Sequence, residues 1–121
     1  QITYEDIYNY ILEMNPDVKG IFATNGDTTM QALTACEGKD MKDVVIMGYD
    51  ADQEEIDAMK DGRIAGMIIQ NPYGMGYATV VAEARCVLNM GNEANVNTGY
   101  TWVTPDNIDD ESVQNILYAK K

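Results

Sequence analysis

The chain has 121 residues, 45% of them hydrophobic, the size of one ordinary domain whose core needs neither metal nor disulfide. Its 20 acidic and 8 basic residues give a net charge of -12, which repels phosphate backbones and anionic lipid heads and argues against nucleic-acid and membrane-surface partners. There is no histidine, so a histidine-based triad and an imidazole metal site are excluded within the chain.

The opening stretch carries Ile2, Tyr4, Ile7, Tyr8, Ile11, Leu12 and Met14 at three- and four-residue spacing, which predicts a helix with one buried face, ended by Asn15-Pro16. A short apolar run over 18–24 reads as a strand buried on both faces, and Asn25-Gly26-Asp27 turns it. A helix follows over 28–37, with Asp27 as its cap and Gly38 closing it. The pattern repeats: a strand over 44–49, a loop at Asp50, a helix over 52–60 ended by Gly62, and a third strand over 64–69. Past Gln70, Asn71-Pro72 begins a long helical stretch, with 77–90 as its body, stopped by Gly91; a fourth strand lies around 100–103 and a last helix over 109–118. Strands alternating with helices predict an α/β fold, a parallel sheet with helices on both faces. The first helix has no strand before it, so the unit reads as part of something longer.

Cys36 and Cys86 are widely separated within apolar helical patterns and read as buried free thiols. No apolar run reaches the ~20 residues of a membrane span, and no basic-then-apolar leader opens the chain. The eight tyrosines and eight methionines fall mostly at helical core spacing and read as packing, and Trp102 reads as core rather than a sugar-stacking platform. Gly74 and Gly76 lack the third glycine of a phosphate cradle, Thr79 standing in its place, and read as allowing close helix packing.

In an open parallel sheet, ligands bind beyond the carboxyl ends of the strands. Asn25, Asp50 and Gln70 stand at that edge on three consecutive strands. Two amides and a carboxylate suit a ligand rich in hydroxyl groups, while Asn and Asp at such positions are equally turn and cap residues. Asp50 also admits phosphoryl transfer or Mg²⁺ binding in a receiver-type fold, but Asp27 is the one nearby second carboxylate. The spacing of Asp50, Asp52 and Glu54 imitates a calcium loop, yet Glu55 and Asp61 stand where that loop requires Gly and Glu, so it reads as a solvated helix start.

The segments Asn15-Pro16-Asp17-Val18-Lys19-Gly20-Ile21-Phe22-Ala23-Thr24-Asn25, Val45-Ile46-Met47-Gly48-Tyr49-Asp50 and Asp61-Gly62-Arg63-Ile64-Ala65-Gly66-Met67-Ile68-Ile69-Gln70-Asn71-Pro72, in this order, resemble the type I periplasmic sugar-binding proteins of bacterial ABC importers. The closing stretch over 103–109 is similar to that family's tail. The resemblance implies two α/β lobes that close by a hinge on a sugar, of which this chain is a C-terminal portion. Residues 1–70 would belong to the second lobe, 71–100 would return to the first, and 101–121 would cross back as the tail.

By the same resemblance Asn25, Asp50 and Gln70 bind sugar hydroxyls, and no catalytic residue, cofactor or metal is involved. Gly26 departs from the family, which commonly has Asp after the Asn, and Asp27 would take over the capping. An ABC permease is the implied partner and an extracytoplasmic location follows, with the signal peptide outside this chain. The effector domain of a LacI-type repressor is the alternative, and a receiver-like domain a third class. A half-cleft leaves apolar faces uncovered, so the isolated chain is expected to self-associate as a homodimer.

Overall fold

The computed structural model describes residues 2–117. They fall into two compact units, one running to Ile69 and resuming at Trp102, the other Gln70–Thr101. The first holds α1 (Tyr4–Met14), β1 (Gly20–Phe22), α2 (Gly26–Gly38), β2 (Val45–Tyr49), α3 (Gln53–Lys60) and most of β3 (Gly66–Gln70). The chain leaves it through α4 (Pro72–Val87), returns along β4 (Tyr100–Val103) and ends in the short α5 (Glu111–Gln114). Among the described residues the strands form a four-stranded sheet in the order β1-β2-β3-β4, with β1, β2 and β3 parallel.

Side chains of one parallel strand alternate between faces, and registered neighbours share a face. The pairings Ile21 with Ile46 and Gly48 with Met67 put these residues on one face, while Phe22, Val45, Met47 and Ile68 share the other. The first face is the core: Ile46 is buried, and Met67 and Ile69 are fully so. Phe22 and Val45 on the second are 49% and 51% exposed. The fold class is the expected α/β arrangement, but its two faces are unequally covered.

Helix α2 lies on the buried face and approaches β2 unusually closely. A Cβ on Gly48 would collide with the side chain of Thr29, so glycine is required there. Thr29 is completely buried, and its hydroxyl donates to the carbonyl of Asn25 at 2.7 Å and accepts the N–H of Tyr49 at 3.2 Å. The other end of α2 is tied by the fork of Arg63, which donates to both oxygens of Glu37 at 2.7 Å. Gly62, with φ of 77°, makes the tight turn after α3 that brings Arg63 there.

Several elements differ from expectation for local reasons. Strand β1 is three residues long and mostly exposed, because it stands at the end of the sheet order with one neighbour. Helix α1 buries Leu12 but leaves Ile7, Ile11 and Met14 largely exposed, so its apolar stripe is only half covered. Helix α2 starts at Gly26, and its cap is Asn25 rather than Asp27, which sits inside the first turn. Helix α4 does start at Asn71-Pro72, because proline suits the first helical turn and the Asn71 side chain caps it by accepting the Gly74 N–H at 2.8 Å, but it ends at Val87 rather than 90. Gly74 makes room for that Asn71 side chain, and Gly76 faces open space, so neither serves helix packing.

No residue of α4 is buried, and Cys86 is exposed; the buried thiol is Cys36 alone among the described residues. Four tyrosines of α1 and α4 share that exposure: Tyr4, Tyr10, Tyr73 and Tyr77 face out, whereas Tyr8 packs partly buried against the core and Met59 and Met67 fill it. Trp102 packs its ring edge over Gly66 and remains 39% exposed, covering the sheet rather than filling the core. Helix α5 is shorter than the predicted 109–118, and Tyr118 lies outside the described residues.

Candidate functional site

Two of the three residues singled out at the strand ends are brought together. Asp50 immediately follows β2, and its own N–H still joins the ladder, donating to the Ile68 carbonyl at 2.9 Å. Its φ of 73° is uncommon for a residue other than glycine, tolerable for Asp, and turns the chain sharply off the strand towards α3. The Gly26 N–H donates to Asp50 Oδ2 at 3.3 Å. The first peptide of α2 is thus fastened to the carboxylate, at a helix end where negative charge is favoured.

Asn25 caps α2 with Oδ1, which accepts the Thr28 N–H at 2.9 Å and the Thr28 hydroxyl at 3.0 Å. These bonds use the carbonyl half of the amide, and the Nδ2 donors are not spent on them. Capping and ligand binding are therefore compatible for this residue. Gln70 closes β3, half-buried, and begins the second unit.

Around Asn25 and Asp50 lies an open cleft of about 250 Å³, lined also by Tyr4, Gly26, Asp27, Thr28 and Asp52. Three carboxylates and no basic side chain line it. Such a rim favours neutral, donor-rich ligands and disfavours anions. No group of three or more His, Cys, Asp or Glu among the described residues is placed to hold a metal ion.

Two contributors escape the sequence reading. Tyr4 scans as a core position of α1, but it is 61% exposed and stands at the cleft. Glu55 scans as part of a solvated helix start, but it is 1% exposed. Its Oε2 accepts the Asp52 N–H at 2.7 Å, completing a capping box for α3. The Asp-x-x-Glu spacing over 52–55 is the sequence signal that would have found it. Burial pushes the Glu55 carboxyl above its ordinary value, against the Asp52 N–H bond, and the charges of Asp52 and Asp50 push the same way.

A sequence profile described as the periplasmic binding protein domain matches residues 4–86. The chain belongs to the periplasmic binding protein domain family. Among curated relatives it is similar to the ribose import binding protein of Salmonella typhimurium, 32% identical over 71 residues, covering 59% of this chain and 24% of that protein. The chain thus spans about a quarter of the length of the curated relatives it matches. A solved ABC transporter solute binding protein from Agrobacterium vitis with bound D-fucose superposes with a TM-score of 0.83 at 28% identity, covering 95% of this chain and 40% of that one. An ABC transporter, LacI family transcriptional regulator from Brachyspira murdochii superposes at 0.80 with 27% identity, covering 96% and 40%. The family is one of binding proteins, and the structural neighbours carry the same α/β fold. No helix among the described residues is long and apolar enough to cross a membrane.

Glu55 supplies a pH-dependent prediction. Because its folded pKa is raised above the ordinary 4.5, the stability linked to its proton is present below that value and is lost as pH rises through the folded pKa. Gln at this position keeps the acceptor oxygen for Asp52 and removes the charge. Urea unfolding of Glu55→Gln and the parent at pH 4 and pH 7 is therefore expected to show the variant gaining on the parent at the higher pH. A difference independent of pH would contradict this.

Proposed function

We propose that this chain is part of the sugar receptor of a bacterial ABC importer, in which Asn25, Asp50 and Gln70 form one wall of a cleft between two lobes. The observation that carries the reading is the Gly26 N–H bond to Asp50, which fixes an amide and a carboxylate side by side at the carboxyl edge of the sheet. An Asn amide that donates and an Asp carboxylate that accepts suit neighbouring hydroxyls of a sugar. The relatives named for ribose import and the neighbour holding D-fucose support the same ligand class. The fold needs no chemistry for this role: a sugar that touches both lobes only when they are closed shifts the protein to the closed form, and a permease reads that form. The location would be outside the cytoplasmic membrane.

The repressor reading keeps one observation, the similarity to the Brachyspira murdochii regulator, and the sequence preceding this segment separates the two. A secretion signal there supports the receptor, and a helix-turn-helix supports the repressor.

Asp50→Ala in the two-lobed protein tests the site directly, by calorimetry against D-ribose, D-arabinose and D-fucose. Loss of a charge-assisted hydrogen bond is expected to weaken the bound sugar by about tenfold or more. Unchanged affinity would remove Asp50 from the site.

The chain by itself would pair through its uncovered apolar surface. Phe22 and Val45 stand half-exposed on one sheet face of the first unit, and Tyr73, Tyr77, Val80 and Val87 are exposed on α4 of the second. Light scattering at rising concentration is expected to report a dimer mass, and a monomer throughout would refute the pairing.

A further inference from the structure

Gly26 and Glu55 are separated by 29 positions and share one small volume. Glu55 Oε1 stands 2.5 Å from where a Cβ on residue 26 would lie, and Asp50 Cβ lies 3.8 Å from the same point. Residue 26 is therefore walled by Glu55 on α3 and by Asp50 at the end of β2. A side chain at 26 must push the Glu55 carboxylate aside, while Asp50 stays in ordinary contact.

Both members of this pair carry a cost that local structure does not explain. Glycine, here at the first position of α2, gives up more conformational freedom on folding than any other residue. A capping box asks for a glutamate that reaches back to its cap, and it works with that carboxylate in water. Glu55 is instead 1% exposed, in a place where Asp50 and Asp52 also oppose its charge. The two costs meet at the peptide that follows Asn25 and donates to Asp50.

We propose that Glu55 is a positioning residue for the sugar site: its carboxylate, seated over Gly26, sets the first peptide of α2 against Asp50 and so fixes the spacing between the Asn25 amide and the Asp50 carboxylate. The proposal rests on the sugar-binding reading above. It makes the carboxylate exchangeable between the two positions, since an Asp at 26 directs its carboxyl into the volume that Glu55 occupies. Either residue alone can fill that volume, and both together cannot.

The test uses the two-lobed protein with Glu55→Ala, Gly26→Asp, the double variant and Glu55→Gln, titrated calorimetrically with D-ribose, D-arabinose and D-fucose, folding being followed by circular dichroism. Glu55→Ala and Gly26→Asp are each expected to weaken the sugar that the parent binds by about tenfold, and the double variant to recover to within about threefold of the parent, a coupling of contacting residues. Glu55→Gln, which keeps the volume and the acceptor, is expected to stay within about threefold of the parent. If Glu55→Ala does not fold, Glu55→Asp withdraws the carboxylate from Gly26 with the charge kept, and is expected to weaken binding in its place. Parent affinity in Glu55→Ala, or in Glu55→Asp if that replaces it, or a double variant no better than the weaker single one, overturns the proposal. Asp50→Ala runs alongside: if it weakens binding while Glu55→Ala does not, the positioning role alone falls. If it leaves binding unchanged, or no sugar of the three binds the parent, the sugar-site reading falls first.

Discussion

Helix α2 meets the sheet where the Thr29 side chain lies against Gly48, and the site depends on that contact. A side chain on residue 48 has no room, so α2 lies directly on β2, and the buried Thr29 hydroxyl spans them, bonded to the Asn25 carbonyl and the Tyr49 N–H. Asn25 and Tyr49 are the neighbours in sequence of Gly26 and Asp50. One buried hydroxyl, satisfied in both directions, therefore sets the start of α2 beside the end of β2. That placement brings the Gly26 N–H within reach of Asp50.

The electrostatics of the cleft follow from the same geometry. The chain is acidic overall, and Asp27, Asp50 and Asp52 gather where α2 and α3 begin. Carboxylates are favoured at helix N-termini, because the exposed N–H groups carry partial positive charge. Here those N–H groups are taken by Asn25, by Asp50 and by Glu55 through the Asp52 peptide. A cleft so furnished offers acceptors at its rim and suits a neutral polyol better than a phosphate. Burial raises the Glu55 carboxyl, and the charges of Asp52 and Asp50 add to it.

Much of this was legible in the sequence because short-range rules govern it. Strand–helix alternation, the strand-end positions of Asn25, Asp50 and Gln70, and the stop at Gly62 are written in spacing and turn chemistry. Spacing alone does not separate Asn25 from Asp27 as the cap, because both residues are good caps and the choice depends on where α2 meets β2. The exposure of Phe22, Tyr73, Tyr77 and Cys86 was not legible, since an apolar pattern says which face can be buried and not what covers it. The burial of Glu55 is not legible, because it packs against Gly26, 29 positions away, and no local pattern reports a contact at that distance.

In the proposed site Asn25 and Asp50 together take the hydroxyls of a sugar. This is tested most directly by a crystal structure of the two-lobed protein with the sugar it binds. Sugar hydroxyl oxygens are expected within about 3.2 Å of both Asn25 Nδ2 and the Asp50 carboxylate. A sugar seated elsewhere, with these two side chains turned to water, would contradict it.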